Sequence, residues 1–259
     1  MDIQVLVATM HQTDHSLLEK MNIKTDAIIG NQCDHIAIEA FEWNGNNITY
    51  LNFAERGVGL NRNNALMRAS AEICLFADDD VVYYDNYAEI IEKEFIENPK
   101  ADVIVFNMKW SRNGVDLRDC VHKKGFIGRK KASSYGTYLI GFRSARIKAK
   151  NIVFHRMFGG GTEYSCGEDT IFLQDCIKKG LKVYRTTSTI GIVYHGESTW
   201  FKGYTDKFFY DKGVLYKYIY PLLAKPLSLY HVIKHRKMYS NFGIKKAFIQ
   251  MWKGTKVKF

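Results

Sequence analysis

Three consecutive aspartates, Asp78-Asp79-Asp80, follow the apolar run Ile73-Cys74-Leu75-Phe76-Ala77. Carboxylates this close repel: two unit charges ~4 Å apart cost roughly 4 kcal/mol at an effective dielectric of 20. A divalent cation relieves that repulsion. Hard oxygen ligands suit Mg2+ or Mn2+, ions that commonly leave coordination positions to substrate phosphates. On an extended backbone Asp78 and Asp80 share one side while Asp79 faces the other. Against this stands a plainer alternative, a solvated turn whose aspartate caps the next helix.

Other residues can supply chemistry around that run. Gly167-Glu168-Asp169 opens a helical pattern, and either carboxylate can take a proton from a hydroxyl. Acids in a first helical turn also suit the helix dipole, worth ~0.3–1 kcal/mol, without any catalytic role. Arg62 carries a guanidinium that matches phosphate oxygens bidentately, or is simply an exposed helix arginine. His195 ends a strand pattern at 190–194 and reads either as a neutral imidazole ligand or as an ordinary core or surface histidine. Gly159-Gly160-Gly161 gives a loop freedom or makes a tight turn.

The elements that must position these groups alternate along the chain. Residues 3–9, 27–29, 48–53, 72–77 and 103–106 are short β-rich runs, with helix patterns at 60–69 and 85–97 and a shorter one from Asp14 to Met21. Such alternation predicts parallel strands with crossover helices in an α/β sandwich, and in open α/β sheets ligands bind beyond the carboxyl ends of strands. The acid run falls at such an end. Residues 111–136 read as a long polar loop, 170–179 as a helix closed by Gly180, and 182–184 and 190–194 as two strands.

On these segments the chain resembles the family 2 glycosyltransferases. The acid run is similar to their Asp-x-Asp motif, Arg56-Gly57-Val58-Gly59-Leu60-Asn61-Arg62-Asn63 to their Asn-x-Gly-x-x-x-Ala-Arg-Asn segment, and Gly167-Glu168-Asp169 to their Glu-Asp signature. The resemblance covers residues 1–200. It implies a GT-A (Rossmann-like) α/β/α sandwich with a mostly parallel central sheet, carrying an inverting transfer from a nucleoside diphosphate sugar, UDP-linked. It further implies Mn2+ or Mg2+ on Asp80, with Asp78 and His195 beside it. Nucleotide contacts fall to Ala8, Thr9, Asn31, Asp34, Arg62, Asp78 and Asp79, the last also a donor-sugar or metal contact. Asp169 becomes the base and Glu168 its second or an acceptor-orienting group. One departure weakens the base contacts: Asn31-Gln32-Cys33-Asp34 stands where the family often has Asp-Asp-x-Ser-x-Asp. The Gln-x-x-Arg-Trp motif of processive synthases is absent, which favours single additions. Asp78-Asp79-Asp80-Val81-Val82 also fits the haloacid dehalogenase-like phosphatase motif, with Asp78 as nucleophile and Asp80 as acid, but that motif follows a first strand and here three come earlier. A nucleotide-sugar-binding protein without turnover is the other alternative.

The charge is unevenly spread. Of a net +10, residues 200–259 carry 13 basic and 2 acidic residues, leaving the remainder close to neutral, and they hold 15 of the 36 aromatics. The expected organisation is therefore a catalytic domain at 1–199, split into a nucleotide-sugar half (1–110) and an acceptor half (111–199). A basic, aromatic helical extension follows at 200–259. The extension can pack on the domain, meet an anionic membrane surface beside a glycan or lipid-linked acceptor, or bind nucleic acid. The last is disfavoured because no nucleic-acid module accompanies it. With no secretory pattern at Met1-Asp2-Ile3-Gln4-Val5 and five cysteines lacking Cys-x-x-Cys spacing, reduced thiols and a cytoplasmic location are expected, with a peripheral place at the inner membrane face open to the extension.

Overall fold

A computed structural model describes all residues except 112–116 and 195–202. The expected catalytic base, Asp169, is among the described residues; His195 lies outside them. In chain order the elements are β1 (Ile3–Met10), α1 (Leu17–Lys20), β2 (Asp26–Gln32), β3 (Ala37–Trp43), β4 (Asn46–Phe53), α2 (Val58–Arg68), β5 (Ile73–Asp78), β6 (Val81–Tyr83), α3 (Tyr87–Glu97) and β7 (Val103–Ser111). Then follow β8 (Arg118–Asp119), β9 (Gly125–Phe126), α4 (Arg129–Ala132), β10 (Ile140–Arg143), α5 (Ser144–Ala149), α6 (Glu168–Lys178), β11 (Val183–Tyr194), α7 (Asp206–Ile219), α8 (Ala224–Lys234) and α9 (Ile244–Gly254).

One sheet runs in the order β3-β4-β2-β1-β5-β10-β7-β11-β6, with β8 on β7 and β9 on β11. Its β4-β2-β1-β5 stretch is parallel, as the alternation predicts. Beyond β5 the short β10 runs antiparallel to both neighbours, and β7 and β11 are parallel again. The sheet is therefore mixed: four strands within residues 3–78 are parallel, with β3 antiparallel at their edge. Strands buried on both faces read as continuous apolar runs, and β1, β2 and β5 do so, with Val5, Ala27, Ile29, Ile73, Cys74 and Phe76 fully buried.

Several elements differ from the sequence reading. β3 was missed because Glu39, Ala40 and Glu42 carry little strand signal, and its residues are mostly exposed at the sheet edge. It pairs with β4 through Asn44-Gly45, both at positive φ (49° and 79°), the backbone of a type I′ hairpin turn. The two strands expected at 182–184 and 190–194 are one, β11, which breaks register against β7 twice on the way. The 111–136 loop holds β8, β9 and α4 among its described residues.

The C-terminal helices have a small core of their own, Phe209, Val232, Tyr239, Ala247 and Met251. A second cluster joins Val214, Leu215 and Ile219 of α7 to Phe158, Tyr164 and Ile171. α7 and α9 cross with backbone in contact: a Cβ at Gly213 would meet the Met251 carbonyl oxygen at 2.0 Å, and one at Gly254 the Tyr210 oxygen at 2.1 Å. Among the described residues no helix is long and apolar enough to cross a membrane.

Candidate active site

The acid run sits where β5 ends. Extended backbone stops at Asp78, and Asp79 and Asp80 form a turn into β6. The simple alternation argument therefore fails after Asp78. Each acid is instead held by a different neighbour, Asp78 and Asp79 through the carboxylate and Asp80 through its main-chain carbonyl. Asp78 accepts an ion-paired hydrogen bond from Arg62 Nη2 at 2.5 Å. Asp79 Oδ2 accepts the Thr9 hydroxyl at 2.6 Å. The Asp80 carbonyl accepts from the Tyr194 amide at 2.9 Å, where β11 meets β6. Burial, and then Asp78 and Asp79, push the Asp80 carboxyl up to about 7.

Arg62 is the centre of the arrangement. α2 carries it inward, with its side chain only 5% exposed, and its second nitrogen, Nη1, donates to Glu168 Oε1 at 3.0 Å. The guanidinium lies 5.4 Å from the centroid of the Phe154 ring. Burial alone would lower the Arg62 pKa, but the two carboxylates outweigh it and raise it. A buried cation of this kind is tolerable only when paired. Both its forks serve protein carboxylates here, so the expected diphosphate contact is not preformed.

Glu168 and Asp169 start α6, after Gly167 in a left-handed conformation (φ 110°). A Cβ at Gly167 would lie 2.5 Å from a Leu215 methyl. Gly159 (φ 110°) likewise leaves room for the Glu168 carboxyl, 3.0 Å from where its Cβ would sit, so the triple glycine makes a close approach, with Gly160 accepting from the Val58 amide. Asp169 is half-buried and its Oδ1 accepts from the Thr170 amide at 2.6 Å. Burial and then the neighbouring Glu168 raise its pKa above the ordinary carboxylate range, against that amide and the cations Lys212 and Arg62.

A cavity of about 670 Å³ opens at the carboxyl ends of β1, β2 and β4, lined among others by His11, Gln12, His15, Asp34, Tyr50 and Asn52. Sequence reasoning found only Asp34 of these. The His15 ring stacks on Phe41 and lies 4.7 Å from Tyr50, an aromatic wall. Asn31 does not line the cavity. Fully buried, it accepts from the Gln12 amide and donates to the Gln12 carbonyl and Asn52 Oδ1, so it positions two residues that do. Thr9 is nearly buried and takes a hydrogen bond from Gln12 Nε2 at 2.9 Å. Ala8 is a buried β1 residue in register with Gly30 and Asp78. Asp34 is fully exposed and shares a hydrogen bond with His35. Among the described residues, the group of three potential ligand side chains with atoms within 4.8 Å of one another is Cys33, Asp34 and His35, not the acid run.

Fold and site together define a GT-A α/β protein with a ligand cavity beside an acid run. The chain belongs to glycosyl transferase family 2, whose sequence pattern matches residues 12–160. That stretch includes Arg62 and the three aspartates; Glu168 and Asp169 lie beyond it. No curated protein matches the sequence. Among solved structures, the chain is similar to residues 1–349 of S. aureus TarS in complex with UDP-GlcNAc (TM-score 0.59, 16% identity, 83% of this chain and 66% of that one). It is also similar to the same fragment in complex with UDP (TM-score 0.58, 16% identity, 83% and 64%). Against S. aureus TarS itself the TM-score is 0.57 at 16% identity, with 83% of this chain and 39% of that one covered. This is a likeness of fold.

Proposed function

We propose that the chain transfers a sugar from a nucleoside diphosphate sugar, UDP-linked, to a hydroxyl of a glycan or lipid-linked acceptor, with inversion at the anomeric carbon, on the cytoplasmic side. One observation carries the reading: buried Arg62 bridges Asp78 to Glu168 and so draws the acid run and the downstream acid pair into one site. The crystallised TarS fragments with UDP and UDP-GlcNAc support a uridine nucleotide in the same fold. Family membership and the four strands before β5 weigh against the phosphatase alternative.

In this reading the nucleobase enters the cavity against His15 and Tyr50, with Gln12 and Asn52 as polar partners. The diphosphate lies toward Asp78–Asp80. A cation there fits the donor set: Asp80 is a hard oxygen ligand whose charged form is destabilised by burial and by Asp78 and Asp79, and Mg2+ sites commonly use one or two carboxylates plus substrate phosphates. Asp80, with Asp78 and His195 as further candidates, would hold Mg2+ or Mn2+, which supplies charge neutralisation for the departing diphosphate. Asp169 accepts the acceptor hydroxyl's proton as that oxygen bonds to the anomeric carbon and the carbon–phosphate-oxygen bond breaks. Glu168, tied to Arg62, fixes the helix start that aims Asp169.

The test is a thermal-shift screen of nucleoside diphosphates and their sugars with and without Mn2+. A ligand at 100 times its Kd stabilises by about 2.7 kcal/mol. Metal-dependent stabilisation by a uridine nucleotide is expected, and no shift with any nucleotide would sink the donor assignment. Persistent transfer by Asp169→Asn would sink the base and leave the donor site standing.

A further inference from the structure

α8 is apolar on two sides. Ala224, Ser228 and Val232 face inward, and Val232 belongs to the core shared with α7 and α9. Leu229, Tyr230 and Ile233 follow the i, i+1, i+4 spacing of one helical face, and Leu222 lies in the turn before the helix. In that order they are 45%, 60%, 48% and 96% exposed. On α9 Ile249 (43% exposed) and Trp252 (36%) face solvent. The two outer faces meet where Lys225 Nζ lies 4.4 Å from the Trp252 ring centroid. On the other flank of the α8 face Lys234 lies 5.7 Å from the Tyr230 ring. Residues 221–259 contain nine Lys and Arg side chains and no Asp or Glu.

We propose that this outer face of α8 and α9 docks on an anionic lipid bilayer, lying in the interface without crossing it. The composition decides among occupants. A second copy in a closed dimer would set the patch against itself, and its exposed Lys225, Lys234 and Lys253, with no carboxylate among residues 221–259, repel their own images. Nucleic-acid interfaces are strongly polar and would leave the exposed Leu222, Leu229 and Ile233 without a partner. A bilayer surface takes both features: the apolar side chains enter the acyl boundary, and lysines reach headgroup phosphates while their stems cover the ring edges. Tyr and Trp at the rim suit the headgroup layer. α7 lies between this face and α6, so the docked unit would be the one that carries the acceptor side of the cleft. The proposal goes beyond the donor reading, and its test uses no turnover.

Flotation with vesicles of phosphatidylcholine, or of an equal mixture with phosphatidylglycerol, at low and high salt provides that test. The full chain is expected to float with the mixed vesicles and not with phosphatidylcholine alone. Lys225→Gln, Lys234→Gln and Lys253→Gln each weaken binding by about fivefold, and the triple variant by about 100-fold. Leu229→Ser with Ile233→Ser lowers it by at least about tenfold. All five positions are exposed, so unchanged melting temperatures confirm that the variants fold. Absence of binding to the mixed vesicles would overturn the proposal. So would unchanged binding by the Leu229→Ser/Ile233→Ser variant, a dimer that the same variant dissociates, or preferential retention on DNA.

Discussion

In the proposed reaction Arg62 and Asp169 carry the most weight, and their electrostatics are opposite. Arg62 is a buried cation made tolerable by Asp78 and Glu168. Removing it leaves two crowded carboxylates without their counter-charge, and breaking such a buried pair costs about 3–5 kcal/mol. Arg62→Ala is therefore expected to lose that much in urea titration, with nucleotide-induced stabilisation reduced as well. Asp169 is an acid whose charged form the fold disfavours, by burial first and Glu168 second. A base of raised pKa is closer to matching a hydroxyl proton near neutrality. Transfer should accordingly fall as pH drops through a limb lying above the ordinary carboxylate range. Asp169→Asn should lower kcat by about 10²–10⁴-fold while leaving donor binding intact. Because the folded-state pKa is raised, ionisation of Asp169 costs stability as pH rises through it. The asparagine variant should thus melt no lower than the parent at neutral pH, and a marked loss would mean that the carboxylate is structural.

Elements place these residues through close approaches that only certain sequences permit. The start of α6 depends on Gly167, which adopts φ 110° and leaves no room for a methyl beside Leu215. Gly167→Ala should cost about 1–3 kcal/mol in left-handed backbone strain, and it should also shift α6 away from α7. The expected readout is a transfer rate that falls more than nucleotide affinity does, measured by steady-state kinetics beside equilibrium binding. An equal fall in both would place Gly167 outside acceptor positioning. The same elements show what a sequence reveals. The strand that ends at Asp78 and the helix that starts at Glu168 were readable because apolar periodicity and a glycine punctuate them. β3 was not, because an exposed edge strand needs no apolar alternation; its Asn44-Gly45 turn was the available signal. The pairing of Arg62 with Glu168 joins residues 106 apart, and no local pattern encodes so distant a partner. The cavity was legible in Asp34 alone because its other walls combine loop residues such as Gln12, placed by buried Asn31, with Tyr50 and Asn52 of β4, which only the folded sheet brings to them.

For the whole molecule, the open matter is whether residues 200–259 form an appendage or part of one cooperative body. Their net charge separates them from the rest, but the packing does not. Phe158, Tyr164 and Ile171 share a core with Val214, Leu215 and Ile219. Asp211, fully buried, accepts from the Ser165 amide at 2.9 Å and hydroxyl at 2.6 Å, pinning the loop that leads to Gly167. Gln174 of α6 donates to the Tyr220 hydroxyl at 2.9 Å, and Arg129 lies 5.3 Å from the Tyr220 ring. Surfaces interlocked in this way should unfold together, since losing α7 would strand buried apolar groups on α6. Trp43 and Trp110 report on the sheet and Trp252 on α9. Variants that retain one of these tryptophans at a time should show coincident urea midpoints. Leu215→Ala, at the shared core, should cost about 2–5 kcal/mol and move all the midpoints by the same amount. An earlier transition seen by Trp252 alone would make the helical unit an independent domain, and Phe158, Tyr164 and Ile171 would then have to stand without it.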